Sequence, residues 1–217
     1  MSLVTIRGRL GSGAPEIGRQ VADRVHADYV DREIIAAVAA RLHRQEQDVT
    51  AKEMLPGSFL GRIAEALGRS GAYFDGAYLP AWEIPLGDTR YLEALESVVK
   101  ELAQSQSLVI RGRGSQFILK DYPGALHVLM VAPLEVRLKR VMQTLKLDQE
   151  TAEREIKRFD DSGREFTRRY FHAELEDPVY YDLVINTEHL SFQAAASLVV
   201  DALQLKNETL GEQRRTG

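Results

Sequence analysis

A chain of 217 residues that is 44% hydrophobic can bury a full core, and its length suits one globular unit with insertions better than two equal domains. Its formal net charge of −4 argues against a general nucleic-acid or membrane-surface binder, and the absence of cysteine excludes disulfides and thiolate metal sites. The chain enters a strand pattern at once, with no signal-peptide pattern and no apolar run long enough to span a bilayer, so a cytoplasmic protein is expected.

Val4-Thr5-Ile6-Arg7 is a short β-branched run, followed by Gly8, Gly11, Ser12 and Gly13 and then by Ile17, Val21 and Val25 at helical spacing. This is the layout of a strand, a phosphate-cradling loop and a helix. Glycines let such a loop turn its backbone N–H groups inward, and the helix aims its positive dipole end at the same point. The full phosphate-loop signature asks for Lys and then Ser or Thr after the last glycine; this chain has Ala14 and Pro15. Pro15 lacks an N–H but suits a first helical turn. On spacing alone, a plain strand–turn–helix junction fits equally well.

Residues 27–32 read as a second short strand, with Asp31 placed to cap a helix carried by Ile34, Ile35, Val38 and Leu42. A polar stretch over 43–58 leads to a helix through Phe59, Ile63 and Leu67. Segment 71–88 is irregular and aromatic, with Tyr73, Phe74, Tyr78 and Trp82. Ordering such a loop costs entropy, so it is expected to cover the core, to form a subunit contact in a homo-oligomer, or to wall an acceptor pocket. Thr89 opens a helix through Leu102, and Leu108-Val109-Ile110 is a buried strand ending in Arg111-Gly112-Arg113-Gly114.

Leu126 to Ala132 fits a central parallel strand covered on both faces, and Pro133 then starts a helix with Leu134, Leu138 and Val141. Asp148 caps the next helical stretch, which leads into Arg158, Arg164, Arg168 and Arg169. Residues 182–186 form a last strand, Ser191 caps a closing helix to Leu203, and the tail beyond Lys206 reads as polar and frayed. Strands alternating with helices predict right-handed crossovers and a parallel sheet with ligands at the strands' carboxyl ends. The glycine loop, Asp31 and the Arg111–Arg113 turn should converge there. The five histidines lack metal-ligand spacing and read as structural or solvated.

Phosphoryl transfer asks a protein for cations, magnesium and a segment that closes out water. Arg113 at a strand end and a mobile helix pair bearing Arg158, Arg164, Arg168 and Arg169 would supply the cations; a solvated helix face is the other reading of that cluster. Arg9 flanks the loop and could stand in for the missing lysine.

The chain resembles the cytidylate-kinase-like proteins, a branch of the P-loop nucleoside monophosphate kinases. The resemblance rests on Gly11-Ser12-Gly13 with Glu16-Ile17-Gly18, on Tyr29-Val30-Asp31-Arg32-Glu33, on Val109-Ile110-Arg111-Gly112-Arg113, on Val131 to Met142, and on Asp177-Pro178 with Tyr181 to Thr187. It implies an α/β three-layer sandwich with a five-stranded parallel sheet in a single domain over 1–206, ahead of the 207–217 tail. An acceptor-binding insertion would map to about 34–100 and a lid to about 140–175. By the same resemblance, Gly8, Gly11, Ser12 and Gly13 would hold the ATP phosphates, with Mg2+; Arg9, from its place beside the loop, would join them. Asp31 and Arg113 would bind the acceptor, and Arg113, Arg164 and Arg168 would act on the transferring group.

The chain departs from that pattern at Ala14, where true cytidylate kinases carry lysine, and at Gly114, where they carry an aspartate that helps select cytosine nucleotides. The expected activity is ATP-dependent transfer to a nucleoside monophosphate. A nucleotide-binding sensor or scaffold without turnover, and a kinase for another small acceptor, stand as alternatives.

Overall fold

The computed structural model describes residues 2–31, 89–105 and 107–216. The helices expected within 34–67 and the aromatic segment 71–88 lie outside the described residues. Strands β1 (Leu3–Gly8), β2 (Asp28–Val30), β3 (Leu108–Arg111), β4 (Ala125–Val131) and β5 (Leu183–Asn186) pair in parallel in the order β2-β3-β1-β4-β5. β1 is therefore central, with Ile6 opposite Arg111 on one side and Gly8 opposite Met130 on the other.

Alternation along β1 divides the core into two layers, because successive side chains point to opposite faces. Val4 and Ile6 pack on α1 (Ala14–Val25) and on the closing helix α6 (Phe192–Thr216), through Ile17, Val21, Ala195 and Val199. Leu3 faces the other way, onto α2 (Thr89–Ser105) with Tyr91, Leu95 and Val99, and onto Phe166. The described end of the expected acceptor insertion is thus core helix. Full burial of Leu- or Val-sized side chains is worth roughly 1.5–3 kcal/mol each, so these layers dominate the fold's stability.

A four-residue helix, α3 (Ser115–Ile118), follows the β3 turn; it is too short to leave a periodic pattern. α4 (Leu134–Leu145) follows Pro133, and α5 (Gln149–Phe171) is capped by the Asp148 carboxylate, which accepts from the Thr151 N–H at 2.9 Å. The four arginines expected on a helix pair all lie on this single 23-residue helix. α6 does not fray at Lys206 but continues to Thr216. It is held there because Lys206 Nζ donates to the Ala125 carbonyl and to Asp182, each at 2.7 Å, and Leu210 reaches the turn at Gly124.

Candidate functional site

The carboxyl end of β1 runs into the glycine loop, and α1 begins directly after it. Gly13 caps α1 with φ 85°, and a Cβ there would lie 2.3 Å from the Phe192 ring, so both backbone and space demand glycine. The Ser12 N–H closes a turn on the Arg9 carbonyl at 3.0 Å, and Ile17 N–H begins the helical bonding on Gly13 at 3.0 Å. Pro15 sits in the first turn, where its missing N–H has no helical acceptor to lose. Ala14 is buried at 1% exposure.

Arg9 leaves the loop and grips Glu176 through two parallel bonds, Nε to Oε1 at 2.5 Å and Nη2 to Oε2. That carboxylate holds the guanidinium's pKa above its ordinary value. Beside it, Asp160 of α5 accepts from Arg137 of α4, whose Nη1 also donates to the Leu10 carbonyl. Burial pushes the Asp160 carboxyl above the usual range, and Arg137, Arg9 and Arg7 pull against that shift. Arg7, on the last stretch of β1, is buried with its guanidinium 5.3 Å over the Phe159 ring.

At the end of β3, Gly112, Arg113 and Gly114 take φ of 72°, 60° and 68°, three left-handed residues in succession. Only the middle one is strained by its side chain, and Arg113 is 3% exposed. Asp31, at the end of β2, turns to the neighbouring strand: its Oδ2 accepts from Arg111 Nε at 2.9 Å and Nη2 at 2.6 Å, both residues buried. A Cβ on Gly114 would meet the Phe171 ring at 2.3 Å. The aromatic ring thus takes the volume that an acidic side chain would need, and Phe171 in turn stacks on Phe117 at 4.8 Å.

α5 spans the site, with Asp160 at the glycine loop and Phe171 at the β3 turn, a run of about 16 Å of helix. Arg164 and Arg168 lie between those two points and line an open groove with Asp161, Glu165 and Arg169. Each is held by a carboxylate, Arg164 by Asp161 at 2.6 Å and Arg168 by Glu174 through two bonds of 2.9 Å. Arg158 pairs with Glu155 at 3.1 Å on the same helix.

The structure therefore gathers Gly8, Arg9, Gly11, Ser12 and Gly13 at one strand end, sets Arg113 at the end of the neighbouring strand β3, and sets Asp31 at the end of β2, one strand further out. Arg164 and Arg168 lie along the bridging helix. Arg137, Arg140, Asp160 and Thr187 complete this surrounding and were not among the expected site residues. The available sign was the spacing of Arg137 and Arg140 on one face of the helix after a central strand. Among the described residues no group of three His, Asp or Glu side chains clusters as a metal site, and no helix is long and apolar enough to cross a membrane.

The sequence pattern of the cytidylate kinase-like family matches residues 3–189. A cytidylate kinase from Methanosarcina barkeri is 25% identical over 183 residues, covering 82% of this chain and 85% of that protein. A shorter match, 30% identical over 104 residues, is to a uronate isomerase from Corynebacterium glutamicum; it covers 48% of this chain and 20% of that protein. Among solved structures, an uncharacterized protein from Eubacterium ventriosum superposes with a TM-score of 0.67 at 17% identity, covering 94% of this chain and 99% of that one. A gluconokinase from Sinorhizobium meliloti superposes with a TM-score of 0.50 at 14% identity, covering 98% and 97%. With a glycine loop on the central strand of a parallel five-stranded sheet and a family match over nearly its whole length, this chain has the P-loop kinase fold and belongs to the cytidylate kinase-like family of phosphotransferases.

Proposed function

We propose that the protein is an ATP-dependent nucleoside monophosphate kinase. One observation carries the reading: the glycine loop on β1 faces the start of α1, and the strained Arg113 turn closes the adjacent strand β3. In this reading Gly8, Gly11, Ser12 and Gly13 receive the ATP phosphates, with Arg9 beside them. Arg113 and Asp31 receive the acceptor. An acceptor phosphate oxygen attacks the γ-phosphorus in line, the bond to the bridging β–γ oxygen breaks, and ADP leaves. Arg113, Arg164 and Arg168 neutralise the charge that spreads over the moving group.

The described residues do not build a magnesium site at this loop. Pro15 has no side-chain oxygen where the signature places a hydroxyl, and no group of three acidic or histidine side chains replaces it among the described residues. A second reading, a nucleotide-binding sensor, is favoured by Ala14 and Pro15 and by the carboxylates that already hold Arg9, Arg164 and Arg168. A third, a different small acceptor, is favoured by the Phe171 ring lying on Gly114.

The test is ADP formation from Mg·ATP with CMP, dCMP, UMP, AMP or GMP against an acceptor-free control. Acceptor-dependent ADP with one preferred monophosphate supports the kinase. No turnover together with saturable ATP binding supports the sensor. In an active preparation, Arg164→Ala should lower turnover far more than ATP affinity.

A further inference from the structure

Three consecutive carbonyls of the glycine loop are bonded from outside the loop. Leu10 O accepts from Arg137 Nη1 at 3.2 Å, Gly11 O from Arg140 Nη1 at 3.3 Å, and Ser12 O from Thr187 Oγ1 at 2.8 Å. The last two donors form one unit. Arg140 Nη1 donates to Thr187 Oγ1 at 2.9 Å and its Nη2 to the Thr187 carbonyl at 2.7 Å. Thr187 is fully buried, and its N–H donates to Val131 O at 2.8 Å, which extends the β4–β5 pairing by one residue. The hydroxyl is thereby fixed to the sheet. Arg140 also lies 5.0 Å over the Phe192 ring, the ring that packs on Gly13.

A trans peptide plane points its C=O and the following N–H in opposite directions. Turning the carbonyls of Leu10, Gly11 and Ser12 toward α4 and the end of β5 therefore turns the N–H groups of Gly11, Ser12 and Gly13 the other way. The Ser12 N–H is spent on Arg9 O. Among the described residues, neither the Gly11 nor the Gly13 N–H has a backbone acceptor.

We infer that Thr187 and Arg140 are positioning residues for phosphate binding: they grip the loop carbonyls from behind and so aim the Gly11 and Gly13 amides at the anion. This rests on the reading of the loop as a phosphate cradle. A loop that has lost the lysine charge depends the more on correctly aimed backbone donors, since little else in it attracts phosphate. Neither residue touches the phosphate in this role.

The experiment measures tripolyphosphate binding by calorimetry and follows the Gly11 and Gly13 amide resonances during the titration. Thr187→Val keeps the shape and removes the donor; Thr187→Ser keeps the donor. Thr187→Val is expected to weaken binding roughly tenfold, the scale of one lost hydrogen bond, and to shrink the Gly13 amide shift, while Thr187→Ser restores both. If Thr187→Val does not fold, Arg140→Lys, which keeps the charge and loses the forked donor, decides by the same two readouts. Equal binding and equal amide shifts in wild type and the donor-removing variant would overturn this inference alone. No tripolyphosphate binding by the wild-type protein would overturn it together with the phosphate-cradle reading.

Discussion

Nη1 of Arg137 lies 3.0 Å from Oδ2 of Asp160 and 3.2 Å from the Leu10 carbonyl, so one buried guanidinium ties helix α5 to the glycine loop. Their side chains are 3% and 7% exposed, which leaves the pair little water to fall back on. Removing one partner strands the other charge, a change that commonly costs about 3–5 kcal/mol. Arg137→Met should lower the urea unfolding free energy on that scale, and Arg137→Met with Asp160→Leu should recover most of the loss. A single variant as stable as wild type would show that the pair holds nothing together.

Gly114 and Phe171 make a second coupled pair. Gly114→Ala meets both a φ of 68° and a ring atom 2.3 Å from its new Cβ. Overpacking of this kind costs about 1–3 kcal/mol, beyond the backbone strain. In a Phe171→Ala background the same substitution should cost distinctly less, because the clash is gone and only the strain is left. Urea midpoints of the four proteins in the cycle give the coupling, and a coupling near zero would contradict the contact.

His127 should give the fold a pH dependence. Burial holds its pKa below the ordinary value, helped by Lys206 and opposed by Asp182 and by a hydrogen bond with the Leu119 backbone; its Nδ1 lies 2.8 Å from Thr5 Oγ1. A depressed folded pKa means that the unfolded chain binds the proton more readily. Its contribution is therefore complete above the unfolded value of about 6.5 and is lost as pH falls through the lowered folded value. Unfolding free energy should drop between pH 7.5 and 5.5, and His127→Gln should flatten that slope. An unchanged slope would place the pH dependence elsewhere.

Ala14 and Pro15 can be tested by restoration. Ala14 is buried against the loop, and a Cβ on Gly8 would meet its methyl at 2.6 Å, so a lysine stem at 14 would start across the loop from Gly8. Groups that stabilise transition-state charge in a dry site are each worth on the order of 10²–10³ in rate. Ala14→Lys with Pro15→Ser should raise the initial rate of ADP formation by a factor in that range. No gain would show that the rest of the site, and not these two positions, limits turnover.

Periodicity and punctuation alone located the five strands, the helices behind them and the caps at Asp148 and Ser191, because those elements are governed by local spacing. The sequence by itself also determined that a glycine loop lacking its lysine follows the first strand, and that Arg113 ends another. The tertiary structure decided who partners whom. Asp31 reads locally as a helix cap, for a helix that lies outside the described residues; only parallel pairing shows that it also sits beside Arg111, 80 residues away. Arg9, Arg164 and Arg168 read as a set of cations, yet each closes on a carboxylate. Thr187 gives no local sign of a role, and only the order of strands carries its hydroxyl to Ser12 O, 175 residues distant. Local patterns report which face of an element is apolar; the direction of a buried polar group depends on which distant element packs on it, and that is settled only when the layers close.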